Sequence, residues 1–307
     1  MERTWDVIVI GAGVAGLTSA KETASAGIRT ACIESAMFGG LIVNVNELNP
    51  GVDGGAVSGV DLATELMTAA TEAGVESLTG TVEWVESNGD GFTIRMDGEP
   101  FTARAVIVAS GARLRRLGIP GEEEYEGRGV SQCADCDGPL FAGKDVVVVG
   151  GGDSAMQEAL TLAEVCSNVY VVHRDDSFTA KPELRRELES CTNVTIFWNT
   201  IVERLEGEEH VQRAVLWNTK DDANEEFEIE CSGMFAYVGL EPNSEYLGEV
   251  VARDEHGRVT TDGSLQTSSP GMFAAGAVRV GCGGLLSDAI DDGRAAAAAA
   301  IRFVQAN

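Results

Sequence analysis

Cys133 and Cys136 enclose two residues, and Asp137 follows the second directly, in Gln132-Cys133-Ala134-Asp135-Cys136-Asp137-Gly138. A Cys-x-x-Cys pair can close a small disulfide, and its surroundings can lower a thiol pKa so that the sulfur acts as a thiolate nucleophile. A carboxyl group beside the pair is a ready proton donor to a leaving thiolate. The combination reads as reversible dithiol chemistry carried by Cys133, Cys136 and Asp137. Structural zinc is the competing use of such a pair, but it needs four ligands, often supplied as two pairs. Here one pair stands alone and the nearest histidine is His173, so no metal site is expected. With Cys32, Cys166, Cys191, Cys231 and Cys282 the chain has seven cysteines. An odd, scattered set does not look like a secreted disulfide framework.

Two glycine-rich segments flank the pair. The first, Gly11-Ala12-Gly13-Val14-Ala15-Gly16, follows the β-branched run 5–10 and opens a helical pattern that reaches Ala26. In this strand–turn–helix setting Gly11 permits the tight turn. Gly13 lets the backbone approach a pyrophosphate, and Gly16 lets helix and strand pack closely. The helix then offers free N–H groups to the phosphates. The next strand, 29–33, ends at Glu34, where an acid can bind both hydroxyls of an adenosine ribose. Phe38-Gly39-Gly40-Leu41 and Asn49-Pro50-Gly51 come soon after. A glycine pair at this place suits FAD better than NAD, because the flavin continues across the domain.

The second segment is Gly150-Gly151-Gly152-Asp153-Ser154-Ala155, between a strand at 146–149 and a helix reaching about Cys166. Two fingerprints in one chain imply two dinucleotides, FAD and a nicotinamide. The following strand, 168–172, ends at His173-Arg174-Asp175-Asp176. Arginines here would grip a 2′-phosphate. Only Arg174 stands here, and Asp175 would repel a phosphate, so the expectation is weak discrimination between NADPH and NADH, or a modest preference for NADH.

The elements that must position these residues can be read from the remaining pattern. Residues 61–73 read as a helix. Segments 81–87, 91–96 and 99–104 read as an antiparallel meander with turns at Asn88-Gly89 and Asp97-Gly98. Residues 105–109 form a buried strand ending in Ser110-Gly111-Ala112, a small-residue turn suited to close approach of a cofactor. A strand at 234–237 leads into Gly239-Leu240-Glu241-Pro242-Asn243. A helix at 285–305 carries an alanine run whose small side chains permit tight packing. Strands alternating with helices predict an α/β chain.

Composition narrows the partners. The 307 residues suffice for two domains. Lys+Arg is 22 against 49 Asp+Glu, a formal charge of −27. Nucleic acid and anionic membrane surfaces both need a basic face, so neither is an expected partner. No stretch approaches the ~20 apolar residues of a membrane span, and nothing at the N-terminus reads as a signal peptide. The chain is expected to be cytoplasmic. Only four lysines, Lys21, Lys144, Lys181 and Lys220, stand against the 49 acids. That surface suits concentrated salt, where self-repulsion is screened.

Taken in order, GAGVAG, FGGL, ASGA, CADCDG, GGGDSA, VGLEPN and PGMFAAG resemble the low-molecular-weight thioredoxin reductases. They also resemble the flavoprotein subunit of alkyl hydroperoxide reductases, most closely in CDGPLFAGK. The resemblance spans nearly the whole chain. It implies two Rossmann-like three-layer α/β domains: an FAD-binding domain from 1–113 and 244–307, and an inserted pyridine-nucleotide domain at 114–243 carrying the dithiol. It implies hinges near 113–116 and 241–244, and a homodimer. For FAD it implies Gly11, Gly13, Ala15, Gly16, Glu34, Gly39, Gly40, Leu41, Asn49, Val82, Ser110, Gly111, Gly276, Ala277, Gly284, Leu285 and Leu286. For NADPH or NADH it implies Gly150, Gly152, Asp153, Ser154, Ala155, His173, Arg174 and Gly239. Electrons would pass from the nicotinamide through FAD to the Cys133–Cys136 disulfide, with Cys136 nearer the flavin and Asp137 handling the proton. Cys133 would then attack the disulfide of thioredoxin or a similar small redox protein.

Three departures stand out. The family's HRRxxxR reads His173-Arg174-Asp175-Asp176-Ser177-Phe178-Thr179, with two of three arginines missing. Its Gly-Asp near the C-terminus, whose acid holds the ribityl chain, reads Gly276-Ala277. Its Arg-Gln near the pyrimidine reads as Gly-Leu in Gly283-Gly284-Leu285. These changes favour a divergent member. The alternatives are a dithiol oxidase passing electrons to O₂, a reductase fed by a non-nicotinamide donor, and a non-enzymatic flavin redox sensor.

Overall fold

The computed structural model describes residues 4–45, 48, 58–220 and 226–306. Asn49 and the turn at 49–51 lie outside the described residues. In chain order the elements are β1 (Thr4–Ile10), α1 (Val14–Ser25), β2 (Thr30–Glu34), α2 (Gly59–Glu72), β3 (Glu76–Thr79), β4 (Val82–Ser87), β5 (Phe92–Met96), β6 (Glu99–Val108) and β7 (Ala112–Leu114). There follow β8 (Val130–Ser131), α3 (Ala134–Asp137), β9 (Asp145–Val149), α4 (Asp153–Val165), β10 (Asn168–His173), α5 (Pro182–Ser190) and β11 (Val194–Trp198). The chain continues through β12 (Thr200–Gly207), β13 (Val211–Asn218), β14 (Glu226–Glu230), β15 (Gly233–Ala236), β16 (Leu240–Pro242), β17 (Met272–Ala274) and α6 (Leu286–Ala306).

The chain forms two compact units, Met1–Arg113 with Glu241–Asn307, and Leu114–Leu240. The second crossing falls after Leu240 rather than at the 243/244 boundary read from the sequence. Residues 241–243 are held by the first unit. The Asn243 amide donates to the Ser110 carbonyl at 2.9 Å, its backbone N–H donates to Gly111 O at 3.0 Å, and Arg113 pairs with Glu241 at 3.2 Å.

In the first unit the strand order is β3-β2-β1-β6-β5-β4, with β17 also paired to β6. Side chains on β1 alternate between the two faces, as period-2 geometry requires. Val7 and Val9 pack with Leu17 and Ala20 of α1 and Ala296 and Ala300 of α6. Ile8 and Ile10 pack with Phe92, Ile94, Met96, Leu247 and Val259 on the other face. The sequence pattern divided 99–104 from 105–109, but both belong to β6. Its first half runs antiparallel to β5 and its later residues run parallel to β1. No turn intervenes at Arg104, whose guanidinium instead pairs with Asp6 at 3.0 Å. The α6 alanines do bring that helix close. A Cβ on Gly293 would lie 2.6 Å from the Ala15 carbonyl oxygen of α1, so only glycine allows this approach.

The second unit carries the parallel sheet β11-β10-β9-β15-β8. Val146 and Val148 face Met156 and Leu162 of α4 and Leu188 of α5. Val147 and Val149 face Val202, Leu205 and Leu216 of the antiparallel sheet β12-β13-β14. Both units are therefore layered α/β structures with their glycine turns at the carboxyl end of a central parallel strand.

Candidate active site: two glycine turns and a disulfide

At the end of β1, Gly11 has φ +103°, a region L side chains rarely enter. A Cβ there would lie 2.4 Å from the Ala109 carbonyl oxygen, and one on Gly16 would lie 1.8 Å from Gly11 O. Gly13 caps α1 with no side-chain hydrogen bond, leaving the first-turn N–H groups free for an anion. Among the described residues the space above it is open, the nearest atom to a Cβ being Gly39 O at 3.8 Å. Gly39 bridges to Gly13, and its N–H donates to Ala12 O at 2.7 Å. Glu34 is fixed by the backbone: Oε2 accepts from Ala12 N at 2.9 Å, while Oε1 accepts from Ser35 N at 2.9 Å and Ala36 N at 3.1 Å. The carboxylate is half-buried and retains lone pairs for ribose hydroxyls. Gly276 sits beside Ala15, where a Cβ would come within 2.9 Å of the Ala15 methyl. Thus Gly11, Gly13, Ala15, Gly16, Glu34, Gly39, Gly40 and Gly276 converge, and Gly111 lies open at φ +64°.

The other residues expected at the flavin have these surroundings. Ser110 donates its hydroxyl to Asn243 O at 2.6 Å and accepts from the Tyr246 hydroxyl at 3.1 Å, so it works as a latch to the returning chain. Leu41 and Leu285 are exposed. Val82 pairs with Met96 and packs on the sheet face opposite α1. Gly284 is open, and Leu286 begins α6. Ala277 offers no side-chain polar atom, yet its turn is strongly held. The buried Asp292 accepts from Gly276 N at 2.9 Å, and from Arg279 Nε at 2.6 Å and Nη2 at 2.5 Å. Sequence reading missed this pair. Its only local signal was Asp292, the second of two adjacent acids before the alanine run, and Arg279, 13 residues earlier.

The second turn repeats the first. Gly150 has φ +145°, and a Cβ on it would lie 2.5 Å from Tyr237 O and 2.9 Å from the Ala155 methyl. Gly152 caps α4 without a side-chain bond, and a Cβ there would meet nothing closer than Thr179 Oγ1 at 4.0 Å. Asp153 is already engaged: Oδ1 accepts from Lys181 N at 2.8 Å, and Oδ2 lies 3.4 Å from Lys181 Nζ. Ser154 is exposed. Gly239 is open at φ +109°. His173 is buried, its Nε2 3.0 Å from the Ser177 carbonyl oxygen and its ring against Phe178 and Trp198. Any Cβ on Gly151 would strike this ring at 2.2 Å. His173 therefore supports the glycine turn from below, as the last inward residue of a buried parallel strand. Arg174 is the opposite case, 80% exposed and 3.5 Å from Asp175.

Cys133 and Cys136 form a disulfide with Cα atoms 5.3 Å apart. Cys133 caps α3, and its Sγ accepts the Cys136 N–H at 3.1 Å. Cys136 is the more exposed of the two. Ser131, which sequence reading passed over, organises the pair. Its hydroxyl donates to Asp137 Oδ2 at 2.6 Å and accepts the Cys133 N–H at 3.2 Å. The remaining buried thiols are suited to packing: burial pushes Cys32 and Cys231 up to about 12 and Cys166 up to about 11. Cys282 is also raised by burial.

Two glycine turns suited to dinucleotides and a dithiol on one chain are the parts needed to couple a nicotinamide to a protein disulfide, and all three are present here. This defines a nucleotide-dependent disulfide oxidoreductase. The profile of the pyridine nucleotide-disulphide oxidoreductases matches residues 5–301, and the chain belongs to that family. It is 37% identical to the thioredoxin reductase of Listeria monocytogenes over 99% of this chain and 95% of that protein. The crystal structure of Lactococcus lactis thioredoxin reductase superposes with a TM-score of 0.91 at 35% identity, covering 99% of this chain and 100% of that one. That of T. acidophilum thioredoxin reductase gives 0.88 at 30% identity, covering 98% and 99%. The chain is an FAD-dependent disulfide oxidoreductase. Among the described residues no helix is long and apolar enough to cross a membrane.

Proposed function

We propose that this chain is a cytoplasmic, homodimeric reductase that takes electrons from NADPH or NADH and delivers them to the disulfide of thioredoxin or a similar small redox protein. The observation that carries the reading is the Cys133–Cys136 disulfide, held on α3 with Asp137 beside it, in the unit that also bears the second glycine turn. The first unit holds FAD through the Gly11–Gly16 turn, Glu34 and the Gly39–Gly40 loop; the second holds the nicotinamide nucleotide through Gly150, Gly152 and the start of α4. FAD, when bound, supplies a two-electron relay between nicotinamide and disulfide.

Opening the Cys133–Cys136 disulfide takes up two electrons and two protons. Asp137, whose carboxylate accepts from Ser131, gives and later takes a proton at the released sulfur in this scheme. As a thiolate, Cys133 attacks one sulfur of the partner disulfide and forms a mixed disulfide, displacing the other sulfur. Cys136 then attacks Cys133, which releases the partner as a dithiol and restores the resting disulfide.

Relatives named thioredoxin reductase support the acceptor. A second reading, another electron donor, is favoured by the exposed lone Arg174 between His173 and two aspartates. Anaerobic titration of the yellow protein with NADPH and NADH separately decides between them. Flavin bleaching by either, followed by multiple turnovers on oxidised thioredoxin, is the expected result. Bleaching by neither moves the assignment to the second reading. Reduction without turnover on any disulfide points to a sensor.

The formal charge of −27 is read as salt adaptation. The melting temperature should then rise between ~0.1 and ~2 M KCl, as the Debye length shrinks from ~10 Å to a few Å. A flat response sinks this part of the proposal.

A further inference from the structure

The amide that follows Cys133 is taken by a side chain that the reaction scheme does not use. Glu158, on α4, is half-buried, and its Oε2 accepts the Ala134 N–H at 2.8 Å. The same oxygen accepts the Tyr237 hydroxyl at 3.1 Å. Ala134 is fully buried and Tyr237 nearly so. A carboxylate from α4 is thus bonded to the first residue of α3, one peptide link from the Cys133 backbone. The titratable groups facing it are Asp135 on α3 and Tyr237 after β15. Asp137, further along α3, gives its carboxylate to Ser131 instead.

We infer that Glu158, with Tyr237, is a positioning residue for the dithiol: its carboxylate clamps the start of α3 and sets negative charge one residue from Cys133, which raises the pH at which this thiol ionises in the reduced enzyme. A like charge disfavours a thiolate, and the thiolate is the attacking form. Burial raises the Glu158 pKa while the Ala134 and Tyr237 hydrogen bonds oppose that rise. Both hydrogen bonds end on the Glu158 carboxylate, one residue from Cys133. This assignment rests on Cys133 and Cys136 being the redox pair.

The test is the pH profile of Cys133 alkylation by iodoacetamide, read by peptide mapping on holoenzyme reduced with dithiothreitol. Glu158→Gln keeps an acceptor for Ala134 and removes the charge. The Cys133 titration midpoint should fall by about one unit. Below both midpoints the alkylation rate should rise about threefold, since a tenfold gain in thiolate is partly offset by its lower nucleophilicity. An unchanged profile in Glu158→Gln overturns the charge assignment. Glu158→Ala also removes the clamp, and disulfide turnover should fall below that of Glu158→Gln. Equal turnover in the two variants overturns the clamp. If nicotinamide fails to reduce the Cys133–Cys136 disulfide in the unsubstituted enzyme, the functional reading fails. The alkylation profile, taken on chemically reduced protein, still decides the role of Glu158.

Discussion

At the ends of β1 and β9 the chain makes the same turn, with Gly11 at φ +103° and Gly150 at φ +145°. In each, a Cβ would strike a carbonyl of a neighbouring segment, Ala109 in one and Tyr237 in the other. Both helices that follow start on an uncapped glycine. The adjacent strands then end differently. Glu34 presents a half-buried carboxylate fixed by three backbone N–H groups, whereas His173 turns its ring into an aromatic cluster beneath Gly151. A phosphate-binding turn tolerates little variation because sterics dictate it. The position that reads the ribose depends on which way one strand-end side chain points, and here the two units part.

The largest effect separates the turns from the chemistry. Cys136→Ser should leave both turns intact and flavin bound while lowering disulfide turnover by at least ~10³-fold. Near-normal turnover with a protein disulfide in that variant would remove the pair from the mechanism.

Breaking each turn in the same way should then give different losses. Gly16→Val forces a side chain into Gly11 O, so purified protein should lack yellow flavin. Gly150→Val strikes Tyr237 O and Ala155, so the protein should stay yellow but resist reduction by either nicotinamide. Flavin loss from Gly150→Val, measured by absorbance after gel filtration, would show that the two units do not divide the cofactors in this way.

A smaller effect concerns the support behind the first turn. Asp292→Ala leaves the Arg279 side chain, 15% exposed, without its partner and frees Gly276 N, which should cost about 3 kcal/mol in urea unfolding. Replacing both residues with apolar ones of similar size should recover most of that loss. If the double variant stays as unstable as the single one, the Gly276 hydrogen bond rather than the ion pair is what matters.

The smallest effect probes the second strand end. With one exposed arginine beside two aspartates, the ratio of kcat/KM for NADPH over NADH should lie well below ~100, a difference of ~2.7 kcal/mol. A larger ratio would show that arginines elsewhere, such as Arg185 or Arg186, meet the 2′-phosphate.

The sequence alone determined both glycine turns, the dithiol with its acid, Glu34 and the layered α/β class. Each depends on local geometry: a positive φ, a helix start or a two-residue spacing can be read over a few positions. Tertiary structure decided the rest. Residues 99–108 became one strand because two different partners flank its halves. Ser110 became a latch because Asn243 and Tyr246 return to it from more than 130 positions away. His173 was drawn from the nucleotide side into the core by Phe178 and Trp198. Asp292 reached Gly276 and Glu158 reached Ala134 only once helices α6 and α4 had packed. Hydrogen bonds of this kind join groups whose proximity is set by packing of apolar faces, and no short window of residues records which faces will meet.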